Sequence, residues 1–174
     1  ITTGDWSSDV CSSDLPGAVH VDMSTIAPAS ARALAERYAT RGVGWVDAPV
    51  SGGGQGARAA TLAIMAGAEA ATLARVRPLL EALGKRIVHI GPPGAGQVAK
   101  ACNQMIMVSA IQACAEAFRL AGAHGVDQAA VLCALAGGSA GSRVLEVMGA
   151  KMVARDSAAG VEARLHHKDY ALLM

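Results

Sequence analysis

A glycine-rich bend, Gly94-Ala95-Gly96, separates two kinds of pattern along this chain. Before it, short apolar strand-like runs alternate with helical periods; from Gln97 onward no strand pattern occurs. Val19 to Met23 reads as a short buried strand. Pro28 then starts a helix that runs to Gly42, with Pro inside its start and Gly past its end. Val43 to Val50 predicts a second strand, Thr61 to Ala66 a third after a Gly-rich loop, and Ile87 to Ile90 a fourth. Ala68 to Leu83 carries the helical period, with Gly84 as its C-cap signal. Past the bend, helices are expected at about 97–124, 127–136, 141–155 and from about 166 onward. The spacing therefore predicts an α/β part over 16–92 and an all-helical part over 93–174.

Composition narrows the partners. Hydrophobic residues make up 52% of the 174 and aromatic ones only 3%, so Ala, Val, Leu, Ile and Met must form the core. The net charge is +1 with no basic run and no aromatic–basic interleaving, which argues against nucleic acid. The most apolar stretch, Met105 to Ala115, is too short for a bilayer and holds Ser109 and Gln112. No signal-peptide pattern is present, and a cytoplasmic protein is expected. Cys11, Cys102, Cys114 and Cys133 make no CxxC pair; buried free thiols are expected of them. His166-His167 lacks the i, i+4 spacing of a helical metal pair, so no metal is expected.

Residues 1–15 do not share the periodicity of the rest. Gly4 to Leu15 resembles the translation of a sequencing-adapter oligonucleotide, so 1–15 reads as a non-native segment with coding sequence resuming near Pro16. The chain also stops at Met174 in mid-helix with no cap, as a cut end would.

Chemistry concentrates at three loops that each follow a strand: Ser24-Thr25, Ser51-Gly52-Gly53, and Gly91 to Gly96. Ligands bind beyond the carboxyl ends of strands in open α/β sheets, so these loops are expected to face one crevice. Behind the third loop, Lys100, Asn103 and Gln104 sit at i, i+3 and i+4 and share a helical face. A cation and two amides there suit a polar, carbonyl-bearing substrate, although the same residues on a helix also serve solubility. Gly94 to Ala99 fits a dinucleotide fingerprint in letters, but the helix that follows runs on with no second strand ending in an acid. Gly54 to Ala59 fits too and is followed by a strand pattern. Neither reads as a phosphate loop.

Taken in order, Val21-Asp22-Met23-Ser24-Thr25-Ile26-Ala27-Pro28, Asp47-Ala48-Pro49-Val50-Ser51-Gly52-Gly53, Thr61-Leu62 with Met65, Gly94-Ala95-Gly96 with Lys100 and Asn103-Gln104, and Lys168-Asp169 resemble the β-hydroxyacid dehydrogenases. That family includes 3-hydroxyisobutyrate dehydrogenase and tartronate semialdehyde (2-hydroxy-3-oxopropionate) reductase. The resemblance covers about 16–174. It implies the C-terminal part of a Rossmann-type dinucleotide-binding domain, followed by the start of an all-α domain entered through a long interdomain helix. It also implies NAD or NADP as cofactor, a small carboxylate substrate, and a homo-oligomer formed through the helical domain.

By the same resemblance, Lys100 is the catalytic lysine. Ser51, Gly52 and Gly53 hold the substrate carboxylate, and Asn103 and Gln104 orient the substrate. Ser24, Thr25 and Lys168 contact the cofactor, with Asp169 beside Lys168. The residue types suit the reaction: a positioned ammonium stabilises charge growing on a carbonyl oxygen and donates a proton to it. In the reverse direction a neutral lysine takes the alcohol proton, which requires burial or a neighbouring cation such as Lys168 to lower a value that is ordinarily near 10.4. Gly137 to Leu145 followed by Leu165 to Asp169 looks most like the tartronate semialdehyde reductase branch, with 3-hydroxyisobutyrate dehydrogenase or a non-catalytic fragment serving subunit association as alternatives. Ala60 and Ala68 replace glycines usual in the family, which puts local loop shape in question. The family's phosphate loop would lie upstream of Pro16, so this polypeptide alone is expected to lack high cofactor affinity and to be inactive.

Overall fold

A computed structural model describes residues 15–158 and 163–171; residues 1–14, 159–162 and 172–174 lie outside the described residues, and with them all but Leu15 of the segment 1–15 read above as non-native. The described residues fall into two compact units, one formed by the residues up to Ala101 together with Ala171 and the other by Cys102–Tyr170.

The first unit is a five-stranded sheet with helices. Its elements are β1 (Val19–Asp22), α1 (Pro28–Ala39), β2 (Gly44–Asp47), β3 (Val50–Ser51), α2 (Gly53–Arg58), β4 (Leu62–Ala68), α3 (Ala70–Glu81) and β5 (Gly84–Gly91), leading to the start of α4 (Ala95–Ala123). The sheet is mixed. β1 and β2 run parallel, β4 and β5 run parallel, and β4 lies antiparallel to both β2 and β3. Along β4, Leu62, Ile64, Ala66 and Ala68 point to one face at the period of two and are buried. With Val46, Ala48, Leu73 and Leu80 they form the unit's core.

Pro28 does open α1, and Gly42 (φ +69°) follows its last turn as the reading expected. Three expectations need correction. The run Val43 to Val50 is two strands, not one: Pro49 cannot donate to a ladder, and the chain changes partner there, with β2 taking β1 and the end of β4 while β3 takes the start of β4. The Gly-rich loop before Thr61 contains a short helix, α2, which glycine's poor helix propensity hides from the sequence. Gly84 does not cap α3; Ala82 does. Gly84 instead opens β5 against Leu62, where a Cβ would press on the Leu62 carbonyl and lie 3.0 Å from Ile64 Cδ1.

Ala60, one of the two departures from family glycines, adopts φ +53°. An L side chain in the left-handed region costs about 1–2 kcal/mol, against a smaller entropic cost for glycine. Ala60→Gly is therefore expected to stabilise the chain by roughly 0.5–1 kcal/mol. Unchanged urea denaturation would contradict this.

The second unit is helical. It holds the rest of α4, α5 (Gln128–Ala136), a π-helical turn (Leu145–Gly149), α6 (Ala150–Val153) and α7 (Ala163–Ala171). Asp127 caps α5 by accepting from the Ala129 and Ala130 N–H groups. Cys114, Phe118 and Leu145 form its core, with Val131, Leu132, Leu135, Met152 and Val153 against them. Only one of the described thiols is buried as expected, Cys114; Cys102 and Cys133 are exposed. At 29 residues, α4 is longer than the apolar stretch measured from sequence, and by length and composition it could cross a membrane.

Candidate functional site

Asp47 organises the first unit's site. It closes β2 inside an apolar run and is fully buried. A buried carboxylate must find donors, and this one takes the N–H of Gly94 at 2.6 Å and of Gln97 at 3.1 Å, at the start of α4. Burial pushes its carboxyl above the ordinary 3.8, an effect these N–H groups partly offset. The same contacts settle the fingerprint-like Gly94 to Ala99. A helix N-terminus attracts anions, and here the protein's own carboxylate fills that position. Gly96 is required by the close approach: a Cβ on it would press on the Met65 carbonyl and lie 2.8 Å from both Asp47 O and Asp47 Oδ2.

Gln97, also buried, ties the loop after β1 to this corner. Its Nε2 donates to the Ser24 carbonyl at 3.0 Å, and its Oε1 accepts from the Ile26 N–H at 3.2 Å. Thr25, half-buried, lies between those two anchors, while exposed Ser24 bonds Asp22 through its hydroxyl and its N–H. One turn further along α4, Lys100 is half-buried and its Nζ donates to the Val50 carbonyl at 2.8 Å. Val50 immediately precedes Ser51, which is half-buried at the end of β3. Gly52 (φ +131°) and Gly53 (φ +61°) then turn the backbone into α2 through conformations that L side chains rarely adopt. The three expected loops are thus joined to one helix start: Ser24–Ile26 through Gln97, Val50-Ser51 through Lys100, and Gly94 through Asp47. They meet in a mixed sheet because β4 ends beside β2 and β5 ends beside β4, with Gly67 opposite both Asp47 and Gly91.

In the second unit, Asn103 Nδ2 donates to Gln104 Oε1 at 2.9 Å, and Gln104 Nε2 donates to Asp169 Oδ2 at 2.6 Å. Lys168 pairs with the other oxygen of Asp169 at 3.2 Å. Gln104 is buried, whereas Lys168 keeps about half its side chain exposed. His166 carries a buried Nδ1 with no hydrogen-bond partner among the described residues. Among those residues no group of His, Cys, Asp and Glu could hold a metal.

Asp47 and Gln97 were not picked out from the sequence. The available signal was an acid inside the apolar run Val43 to Val50, followed in the chain by a glutamine one turn into a helix that begins with glycines.

Comparison with known proteins gives this arrangement its class. Residues 5–91 match the family described as the NAD binding domain of 6-phosphogluconate dehydrogenase, and residues 94–174 that described as NAD-binding of NADP-dependent 3-hydroxyisobutyrate dehydrogenase. The chain belongs to this β-hydroxyacid dehydrogenase family of NAD(P)-dependent oxidoreductases. It is 44% identical over 160 residues to 2-hydroxy-3-oxopropionate reductase of Escherichia coli (strain K12), covering 92% of this chain and 55% of that protein. It is 41% identical to NAD-dependent L-serine dehydrogenase of Pseudomonas aeruginosa, covering 90% and 55%. A solved structure of Mycobacterium tuberculosis 3-hydroxyisobutyrate dehydrogenase with L-serine matches with a TM-score of 0.83 at 36% identity, covering 91% of this chain and 57% of that one. The chain thus spans about half the length of the relatives it matches.

Proposed function

We propose that the whole protein containing this chain transfers a hydride between NAD(P) and a small β-hydroxy acid or its semialdehyde, most like 2-hydroxy-3-oxopropionate reductase. The observation that carries the reading is the Lys100 amine, held 2.8 Å from the Val50 carbonyl and next to Ser51-Gly52-Gly53. The preference for that substrate over 3-hydroxyisobutyrate rests on Gly137 to Leu145 followed by Leu165 to Asp169, which look most like the reductase branch.

The Ser24–Ile26 turn fits the nicotinamide end of such a cofactor. It presents two hydroxyl residues at the carboxyl end of a parallel strand, with its backbone fixed by Gln97. Ser24, Thr25 and Lys168 would contact the cofactor. The cofactor, when bound, supplies or accepts the hydride.

The chain's own residues do the rest. Ser51, Gly52 and Gly53 hold the substrate carboxylate through hydroxyl and N–H groups, and Asn103 orients the substrate. As the carbonyl oxygen gains charge, the Lys100 ammonium donates a hydrogen bond and then its proton to that oxygen. In oxidation the neutral amine takes the alcohol proton instead. The Val50 carbonyl fixes the amine in place in both directions, so little reorganisation is needed at the moment of reaction.

In this reading α4 is the long helix of a cytoplasmic dehydrogenase, its length explained by the passage from one unit to the next, and not a membrane span. Exposed Met105, Ile106 and Leu120 support subunit association through the helical part.

The test is turnover by the whole protein with 2-hydroxy-3-oxopropionate, with 3-hydroxyisobutyrate and with L-serine, each with NAD and NADP in the appropriate redox form. The reading expects the highest kcat/KM with 2-hydroxy-3-oxopropionate. A preference for 3-hydroxyisobutyrate would transfer it to that branch, and no turnover of any of the three would refute it.

A further inference from the structure

Four side chains of the second unit form a directed hydrogen-bond relay: Lys168, Asp169, Gln104 and Asn103. An ionised carboxylate only accepts hydrogen bonds, and an amide group has one accepting and one donating end. Asp169 Oδ2 therefore requires the Nε2 end of Gln104, at 2.6 Å. With Nε2 so placed, Gln104 must present Oε1 on its other side. That oxygen accepts only, so Asn103 must turn its Nδ2 toward it, as found at 2.9 Å. The direction of each bond follows from the charge at the end of the chain. Lys168 occupies Asp169 Oδ1 at 3.2 Å, which leaves Oδ2 to Gln104.

This alters the part assigned to Gln104. It is buried, and both ends of its amide are bound within the protein. Among the described residues, the group it leaves for a ligand is the remainder of Asn103: its Oδ1 and its second Nδ2–H, in one fixed flip.

We propose that Gln104 and Asp169 are positioning residues that lock the side-chain amide of Asn103 in a single flip, so that Asn103 offers the substrate a carbonyl oxygen and an N–H at defined places. The inference deepens the dehydrogenase reading above and rests on it for the identity of the substrate. A freely flipping Asn103 would present the wrong end to a hydroxyl or carboxylate for part of the time.

The decisive comparison exchanges the charge between the two positions. Gln104→Glu sets two carboxylates against each other and breaks the relay. The double variant Gln104→Glu with Asp169→Asn reverses the bond between those positions while keeping an accepting oxygen opposite Asn103. In the whole enzyme, Gln104→Glu is expected to lower kcat/KM by roughly 10- to 100-fold, the size of effect a misplaced substrate-orienting group produces. The double variant is expected to recover most of that loss. On an Asn103→Ala background Gln104→Glu should add little, because the amide it orients is gone. An unrecovered double variant, or an undiminished effect on that background, overturns the proposal.

A structural readout separates this inference from the dehydrogenase reading. In ¹⁵N-resolved spectra of the whole protein, the Asn103 side-chain amide, assigned by its loss in Asn103→Asp, should move and exchange faster with water in Asp169→Ala. It should stay near its wild-type position in the charge-exchanged double variant. An Asn103 signal indifferent to Asp169→Ala overturns the relay whatever the enzyme turns over. A wild type without turnover but with the expected shifts leaves the relay standing and removes the substrate assignment.

Discussion

Lys100→Ala is expected to cut kcat for 2-hydroxy-3-oxopropionate by about 10³- to 10⁴-fold, with a much smaller change in KM. General acid–base assistance contributes about 10²- to 10⁴-fold, and an electrostatic donor to a developing oxyanion about 10²- to 10³-fold. In the proposed mechanism one amine supplies both, so the two effects overlap and do not multiply. KM moves less because the carboxylate is assigned to Ser51, Gly52 and Gly53, which the substitution leaves in place. Lys100→Arg is not expected to recover turnover. A guanidinium keeps its proton at any working pH, and its planar fork does not reproduce the compact ammonium that donates to Val50 O. A stopped-flow measurement of the first turnover checks that the loss lies in chemistry and not in product release.

Asp47→Ala is expected to cost about 3–5 kcal/mol in urea denaturation. The carboxylate is fully buried and accepts from Gly94 and Gln97. Its removal leaves buried donors unpaired, at about 1–3 kcal/mol each, and frees the start of α4 from the end of β2. Gly96→Ala attacks the same corner by overpacking, since its Cβ would lie 2.8 Å from Asp47 O and Oδ2. Asp47→Asn isolates the charge. Because burial raises the folded carboxyl above 3.8, its stabilising contribution is complete below that ordinary value and declines as pH rises through the folded one. The stability difference between wild type and Asp47→Asn should therefore be largest in acid and narrow as pH rises. A difference that widens with pH would show that the N–H donors outweigh burial and that the carboxyl is depressed.

Local signals carried much of this fold into the sequence. Pro28 and Gly42 bracket α1 because a helix start tolerates a missing N–H and a helix end needs a left-handed residue. The family was legible from five ordered motifs, and the strand–loop pattern marked the neighbourhood of Ser24, Ser51 and Lys100. What stayed hidden depends on partners distant in the chain. The division of β2 from β3 at Pro49 is a choice of neighbour along β4, which no local pattern encodes. Asp47 and Gln97 act on groups about 50 to 73 positions away, so their types were visible and their contacts were not. Gln104 shows the same limit on one helix face. Spacing grouped it with Lys100 and Asn103, but burial and the bond to Asp169 decide that it orients a neighbour.

The most direct test of the central role of Lys100 is chemical rescue. Turnover of 2-hydroxy-3-oxopropionate by Lys100→Ala in the whole protein should rise, and saturate, as methylamine is added, while the wild type is unaffected. If instead the variant turns over as fast as the wild type without added amine, Lys100 is not the proton-transferring group and the proposed mechanism is wrong.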